Sequence, residues 1–294
     1  MKQKIILLIF LGVIIVGSTW LLISSRNKRT RSYKLQITAS FYPYYFFASK
    51  IGGDKTDVIN ITPSGGEPHD YEPTSQDIVN IQASKLLILN GTVEPWANKV
   101  KDTLKDKKTV ILEVGGELFT QDPHVWLSPT LAKKQVNTIL NEFIQIDPVN
   151  ENYYYINANK LLGELDGLDN EFKNGLSSCK QKNIVTSHAA FAYLASDYGF
   201  NQVTITGVSP DEEPSLKKLG QLADFVRKNN IKYIFFESLV SPKLAETVAY
   251  ETGAKTLVLN PIEGLTPEEV ELGKNYLTIM RDNLQNLKVA LECP

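Results

Sequence analysis

Residues 148–176 read PVNENYYYINANKLLGELDGLDNEFKNGL, and this stretch divides the chain into two halves. Four apolar side chains in it recur at spacings of four, three and four residues: Leu161, Leu165, Leu168 and Phe172. This spacing predicts one face of an α-helix, and Pro148 suits its first turn. A helix over the whole stretch would be about 43 Å long at 1.5 Å per residue, enough to run along a two-domain molecule. An ordinary crossover helix inside one large domain is the alternative.

Short β-rich runs alternate with helical stretches on both sides of this helix. Four candidate strands precede it, at 34–39, 58–62, 85–89 and 109–113. Four more follow it, at 183–187, 202–206, 233–237 and 256–259. Strands that alternate with helices predict parallel sheets of the α/β class. We therefore expect the following division of the chain: an N-terminal α/β lobe over 33–147, a linking helix over 148–177 and a C-terminal α/β lobe over 178–294.

The composition is that of an ordinary globular protein, with 43% hydrophobic and 22% charged residues. A length of 294 residues suggests two domains, at about 100–200 residues per domain. The net charge of −2 offers no large basic surface, and the sequence contains no nucleic-acid-binding motif. We therefore expect no nucleic-acid partner.

The N-terminal segment, residues 1–32, differs from the rest of the chain. Lys2 and Lys4 precede an almost unbroken apolar run over 5–23. This pattern indicates a signal peptide or an uncleaved membrane anchor. Either one predicts an extracytoplasmic protein, periplasmic or held at the cell surface. The basic residues over 26–31 favour keeping the C-terminal side of this apolar run inside the cell. We nevertheless expect export, because the motifs described below are stronger evidence.

The chain contains two cysteines, Cys179 and Cys293. An exported protein can form a disulfide between them, because the compartment outside the cytoplasm is oxidising. Two unpaired thiols, one of them near the C-terminus, are the alternative.

The chain contains three histidines, and each lies where a loop meets a predicted strand or helix. His69 follows a strand in a turn-rich loop, His124 opens a helix, and His188 ends a strand. Open α/β sheets bind ligands at such positions. The spacings of 55 and 64 residues do not suit a zinc finger but do suit a site built between two lobes. Three imidazoles and one carboxylate would complete a tetrahedral Zn²⁺ site, although a lone histidine is more often structural.

Six motifs resemble, in order, those of the metal-binding receptors of bacterial zinc and manganese ABC transporters, the cluster A-I solute-binding proteins. The motifs are GEPHDYEPT at 66–74, DPHVWLSP at 122–129, TSHAAFAYL at 186–194, SPDEEPS at 209–215, FES at 236–238 and LNPIEGLT at 259–266. The resemblance covers the chain from about residue 35 to the C-terminus. It implies two lobes, each with a parallel sheet flanked by helices, joined by a long backbone helix, with the metal in the cleft between them.

The resemblance also implies the ligands. The family's first two histidines match His69 and His124. His188 stands where zinc members have histidine and many manganese members have glutamate, which favours Zn²⁺ over the harder Mn²⁺. Many members have aspartate at the position of Asn260, and a neutral amide replaces an anionic ligand poorly. The sequence resembles a zinc subgroup that uses Glu263, and we predict Glu263 as the fourth ligand.

Three further carboxylates lie in these motifs. Glu237 and Asp122 are candidates for hydrogen bonds that orient a histidine. Glu67 is a third candidate, but a solvated loop carboxylate is the better interpretation for it. Asn260, Glu237 and water remain alternatives to Glu263 as the fourth ligand.

The predicted function is high-affinity capture of extracytoplasmic Zn²⁺ by a monomer, and its delivery to a membrane permease that a separate ATPase drives. The chain has no phosphate-binding glycine loop, so we expect no ATP hydrolysis by it. We expect no catalysis, because no HExxH motif is present and Glu263 would close the metal position that a zinc hydrolase leaves open to water. A manganese or iron receptor, and a surface adhesin on the same scaffold, are the alternatives.

Overall fold

The computed structural model describes residues 34–118 and 122–294, so the predicted signal or anchor over 1–32 lies outside the described residues. The described part contains eight strands. They are β1 (Leu35–Ala39), β2 (Thr56–Asn60), β3 (Leu86–Leu89), β4 (Val110–Glu113), β5 (Asn183–Thr186), β6 (Asn201–Thr204), β7 (Tyr233–Phe236) and β8 (Lys255–Val258). All eight predicted strands are present, with ends that differ by one or two residues.

The α-helices of the described residues flank these strands. They are α1 (Tyr42–Gly52), α2 (Ser75–Ala83), α3 (Ala97–Leu104), α4 (Pro129–Ile146), α5 (Glu151–Leu176), α6 (Ala192–Tyr198), α7 (Leu216–Lys228), α8 (Lys243–Thr252), α9 (Pro267–Glu271) and α10 (Tyr276–Ala290). Short 3₁₀ turns, including Val125–Leu127 and Pro148–Asn150, connect some of them. None of the helices described is both long and apolar enough to cross a membrane.

The strands form two parallel sheets of four, with the same internal order. The first sheet runs β2-β1-β3-β4 and the second runs β6-β5-β7-β8. The fold-class prediction is therefore confirmed. We call the first sheet with α1–α4 the N-terminal lobe, and the second sheet with α6–α10 the C-terminal lobe. The domain boundaries predicted from the sequence remain predictions.

Helix α5 is the helix predicted between the two sets of strands. It begins at Glu151, because Pro148–Asn150 forms a 3₁₀ turn, and its 26 residues are about 39 Å long. The apolar face predicted from the spacing is buried. Its buried apolar side chains are Tyr154, Ala158, Leu161, Leu165, Leu168, Phe172 and Leu176.

One hydrophobic core runs through both lobes. It joins Ile37 of β1 to Phe235 of β7 by way of Leu168 on α5 and Met280 on α10. Burial of apolar side chains is the main stabilising contribution to folding, so the two lobes are stabilised together. A smaller core of C-terminal residues alone lies on the other side of the second sheet, around Val185.

In the C-terminal segment, the capping box that begins at Thr266 and the helical spacing of apolar residues predict one helix from the sequence, but the structure contains two. The apolar residues are Tyr276, Met280, Leu284, Leu287 and Leu291. The capping box at Thr266 is present and begins α9, but the helix stops after five residues. Gly273 has a φ of +67°, a left-handed conformation that glycine adopts readily. Asn275 then caps α10 with its side chain. The spacing of apolar residues continues across the break, which is why the sequence alone suggests one helix.

Cys179 and Cys293 form a disulfide across 114 residues of sequence, which decides between the two alternatives left open by the sequence. The bond joins the segment just before β5 to the residues just after α10. It therefore fixes the C-terminus to the end of the sheet opposite to the one at which His188 emerges.

Candidate metal centre

All four residues predicted as ligands lie together in the cleft between the lobes. One donor atom from each of His69, His124, His188 and Glu263 lies within 4.8 Å of the others. Each residue follows the carboxyl end of a strand, where parallel α/β sheets bind ligands. The two lobes contribute two residues each, so the site requires both lobes.

Their distances match a tetrahedral metal site. The Oε1 atom of Glu263 lies 3.2 Å from Nε2 of His69, 3.1 Å from Nε2 of His124 and 3.6 Å from Nε2 of His188. The Nε2 atoms of His124 and His188 are 3.2 Å apart. Ligands at about 2.0–2.1 Å from Zn²⁺ in a tetrahedron are about 3.3 Å from one another. These four distances, from 3.1 to 3.6 Å, are therefore close to those that such a site requires.

Two carboxylates, the partly exposed Asp122 and the buried Glu237, orient two of the three imidazoles. Asp122 Oδ1 accepts hydrogen bonds from both the backbone N and the ring Nδ1 of His124, at 2.9 and 2.6 Å. Glu237 Oε1 accepts the same pair from His188, at 3.2 and 2.7 Å. Because a carboxylate only accepts, each Nδ1 carries the hydrogen, and in the neutral ring Nε2 keeps its lone pair. Both predicted orienting roles agree with these contacts.

Two Nε2 lone pairs and a carboxylate thus converge in a buried space. His124, His188 and Glu263 are fully buried, and His69 is nearly so. The second oxygen of Glu263, Oε2, is buried without a hydrogen-bond partner among the described residues. Buried electron-pair donors require a proton or a cation to be stable. This donor set of three nitrogens and one carboxylate suits Zn²⁺.

The neighbouring carboxylates favour the protonated forms of His124 and His188 by raising their pKa values when no metal is present. Burial lowers the pKa of His124, but its hydrogen bonds to Asp122 and Glu263 outweigh burial and raise this pKa above its ordinary value. The pKa of His188 is raised further, because Glu237 and Glu263 together outweigh its burial. Burial acts to raise the pKa of Glu263, but hydrogen bonds from the three histidines bring it well below its ordinary value. An incoming metal therefore competes with protons.

Glu67 is less solvated than the sequence suggests. Its side chain is half-buried, and Oε1 accepts a hydrogen bond of 3.2 Å from the backbone N of His69. Burial, together with the nearby charge of Glu263, raises the pKa of Glu67 to about 9. The loop that carries Glu67 folds back into the cleft. Its many turn-forming residues predict a loop but not this position.

A set of hydrogen bonds between the lobes fixes the loop over 259–265 that carries Glu263. The indole Nε1 of Trp126 donates to the carbonyl of Pro261 at 2.7 Å, and the hydroxyl of Tyr276 donates to the carbonyl of Trp126 at 2.5 Å. Gly65 N donates to the carbonyl of Leu265 at 2.8 Å. Nearby, a side chain at Gly264 would come within 3.2 Å of the Gly66 carbonyl, so a glycine permits this close approach. The role of Trp126 in this support was not predicted from the sequence.

Comparisons with known proteins find relatives named for zinc uptake and zinc binding. The family model ZnuA, described as zinc-uptake complex component A periplasmic, matches residues 37–290. The chain is 37% identical over 309 residues to the high-affinity zinc uptake system protein ZnuA of Bacillus subtilis (strain 168), covering 95% of this chain and 97% of that protein. It is 39% identical over 289 residues to the zinc-binding lipoprotein AdcA of Streptococcus pneumoniae serotype 4 (strain ATCC BAA-334 / TIGR4), covering 91% of this chain but 58% of that longer protein.

Solved structures show the same fold. The crystal structure of the Zn(II)-bound ZnuA-like domain of Streptococcus pneumoniae AdcA is 41% identical to this chain, with a TM-score of 0.79. The match covers 88% of this chain and 99% of that domain. The chain therefore aligns with almost the whole of a domain whose crystal structure is Zn(II)-bound.

Proposed function

This chain belongs to the zinc-uptake complex component A family, and we propose that it is the extracytoplasmic receptor that captures Zn²⁺ for an ABC transporter. The observation that carries the proposal is the convergence of three imidazoles and one carboxylate at tetrahedral spacing in a buried cleft. We assign the ligand roles to His69, His124, His188 and Glu263.

The proposed receptor delivers Zn²⁺ to a permease in the membrane, which a separate ATPase drives. It acts as a monomer, and its N-terminal segment is either a cleaved signal or an anchor. The compared relatives are named for zinc uptake or zinc binding, so zinc capture is favoured over the manganese, iron and adhesin alternatives. Glu263 supplies the fourth donor where a zinc hydrolase would keep a water, which supports capture without catalysis.

Metal competition tests the proposed function. The purified protein, stripped of metal, should bind one Zn²⁺ per chain tightly enough to take it from a chelating dye. An excess of Mn²⁺ should not displace this zinc, because three imidazoles favour zinc over a harder ion. Preference for Mn²⁺, or failure to bind either ion, would exclude the zinc receptor.

Zinc affinity should fall as the pH falls. The carboxylates raise the pKa values of His124 and His188 in the metal-free protein, so protons begin to compete at a pH above the usual histidine value of about 6.5. For each proton that zinc displaces on binding, zinc affinity falls by up to about tenfold for every unit by which the pH is lowered. Competition titrations between about pH 8.5 and 5.5 should show affinity declining throughout the lower part of this range. An affinity independent of pH would contradict the proposed histidine ligands.

Replacing Glu237 with glutamine should weaken zinc binding by about 10- to 100-fold, the usual range for a residue that orients a metal ligand. Glutamine keeps an acceptor for Nδ1 of His188 but removes the negative charge beside the ring. Isothermal titration with zinc and a competing chelator would measure the change. Glu246→Gln, at an exposed carboxylate of the same lobe, is the matched control and should bind as the wild type does. Equal affinities in the two variants would show that Glu237 does not support the ligand.

A further inference from the structure

The loop that carries Glu263 contains a strained residue. Ile262, immediately before Glu263, has a φ of +59° and is fully buried. A β-branched residue in the left-handed region is a conformational outlier that stores strain in the backbone. Such a conformation persists only where the surrounding contacts fix it. The position of the Glu263 carboxylate therefore depends on whatever fixes residue 262.

Asn260 supplies one of those contacts. Its side-chain Oδ1 accepts a hydrogen bond of 2.7 Å from the backbone N of Ile262, which closes a turn two residues ahead in the manner typical of asparagine. Its Nδ2 donates to Glu269 Oε1 at 3.1 Å and to Ser238 Oγ at 2.8 Å. The side chain of Asn283 on α10 fixes the backbone of Asn260. Its Nδ2 donates to the Asn260 carbonyl, and its Oδ1 accepts from the Asn260 backbone N.

Glu269 connects the two ends of the loop. One of its oxygens accepts from Asn260, and the other accepts from the backbone N of Thr266 at 2.9 Å in the capping box of α9. Residues on both sides of Glu263 are thus tied to one carboxylate. Within the part of the chain that the structure describes, the Asn260 side chain forms its hydrogen bonds with Ile262, Ser238 and Glu269. None of these three is a proposed ligand.

We infer that Asn260 is a positioning residue that sets the Glu263 carboxylate at the metal and is not itself a ligand. The amide is required because it must accept from Ile262 and donate to Glu269 at the same time. An aspartate has the same shape and could still accept from Ile262. Its second oxygen would then face a glutamate oxygen at about the observed 3.1 Å, which is repulsive for two carboxylates in a half-buried place. This inference rests on the proposed function.

The inference is tested by moving the amide from position 260 to position 269. Asn260→Asp should weaken zinc binding by about 10- to 100-fold. Adding Glu269→Gln should restore affinity to within about threefold of wild type, because the amide introduced at position 269 can donate to the carboxylate introduced at position 260 and still accept from Thr266. If the single variant folds poorly, the zinc affinity of the double variant still tests the inference. A folded double variant that still binds zinc weakly would overturn the inference.

The Glu263→Ala background separates positioning from a general effect on the fold. If Asn260 acts through Glu263, Asn260→Asp should change zinc affinity by less than about twofold when Glu263 is already alanine. A further loss in that background would show that Asn260 acts elsewhere. Tighter binding there would show that residue 260 reaches the metal, which also overturns the inference. A wild-type protein that binds no zinc would refute the proposed function itself, whereas zinc binding unaffected by Asn260→Asp would refute this inference alone.

Discussion

Replacing Glu263 with alanine should weaken zinc binding by about 100- to 1000-fold. Structural zinc sites of four ligands in zinc-finger peptides have apparent binding free energies of about 10–16 kcal/mol. Divided equally, this is about 3 kcal/mol for each ligand. Each 1.4 kcal/mol corresponds to about a tenfold change in affinity. Glu263 is the only carboxylate of the four proposed ligands, so its removal also takes away the negative charge that offsets the charge of the ion.

Competition with chelators of graded affinity would measure this loss, and the metal-free variant should keep a cooperative thermal unfolding transition. Glu268→Ala is the matched control, because Glu268 is an exposed carboxylate five residues further along the chain. It should bind zinc as the wild type does. If Glu263→Ala bound zinc normally, the fourth ligand would have to be sought at Glu237, Asn260 or water.

Removing the disulfide between Cys179 and Cys293 should lower the free energy of unfolding by about 2–5 kcal/mol. The bond closes a loop of 114 residues, and a long closed loop greatly restricts the unfolded chain. The double replacement Cys179→Ser and Cys293→Ser avoids leaving a free thiol. Urea denaturation of the metal-free proteins would measure the difference directly.

The same variant should keep its zinc affinity to within about twofold. Cys179 precedes β5 and His188 follows it, so the disulfide lies at the end of the second sheet opposite to the cleft. A wild type treated with a reducing agent should behave as the double variant does in denaturation. Unchanged stability would mean that the bond contributes little, and a large loss of zinc affinity would mean that it also shapes the cleft.

Most of the architecture could be predicted from local sequence patterns. Short β-rich runs marked all eight strands, and the spacing of Leu161, Leu165 and Leu168 marked the buried face of α5. These signals are local because a strand or a helix repeats over a few residues. The break after α9 escaped prediction, since apolar residues continue across Gly273 at helical spacing. The backbone conformation there depends on packing and on the cap at Asn275.

The sequence by itself determined which chemical groups are available: three histidines in the whole chain, each in a recognisable motif, with Glu263 as the favoured carboxylate. Only the tertiary structure decided that these groups meet at distances of 3.1 to 3.6 Å between Glu263 and the imidazoles. Successive ligands lie 55, 64 and 75 residues apart, so no local pattern can set such distances.

The tertiary structure also decided which neighbouring groups support the site. The core shared by the two lobes brings the strand ends of both sheets together, and hydrogen bonds then orient the side chains. Asp122, Glu237 and Asn260 all appear in the motifs as polar residues near a ligand. Contacts formed by the folded chain turn the first two toward imidazoles and the third toward Glu269, because each buried polar group must find a partner.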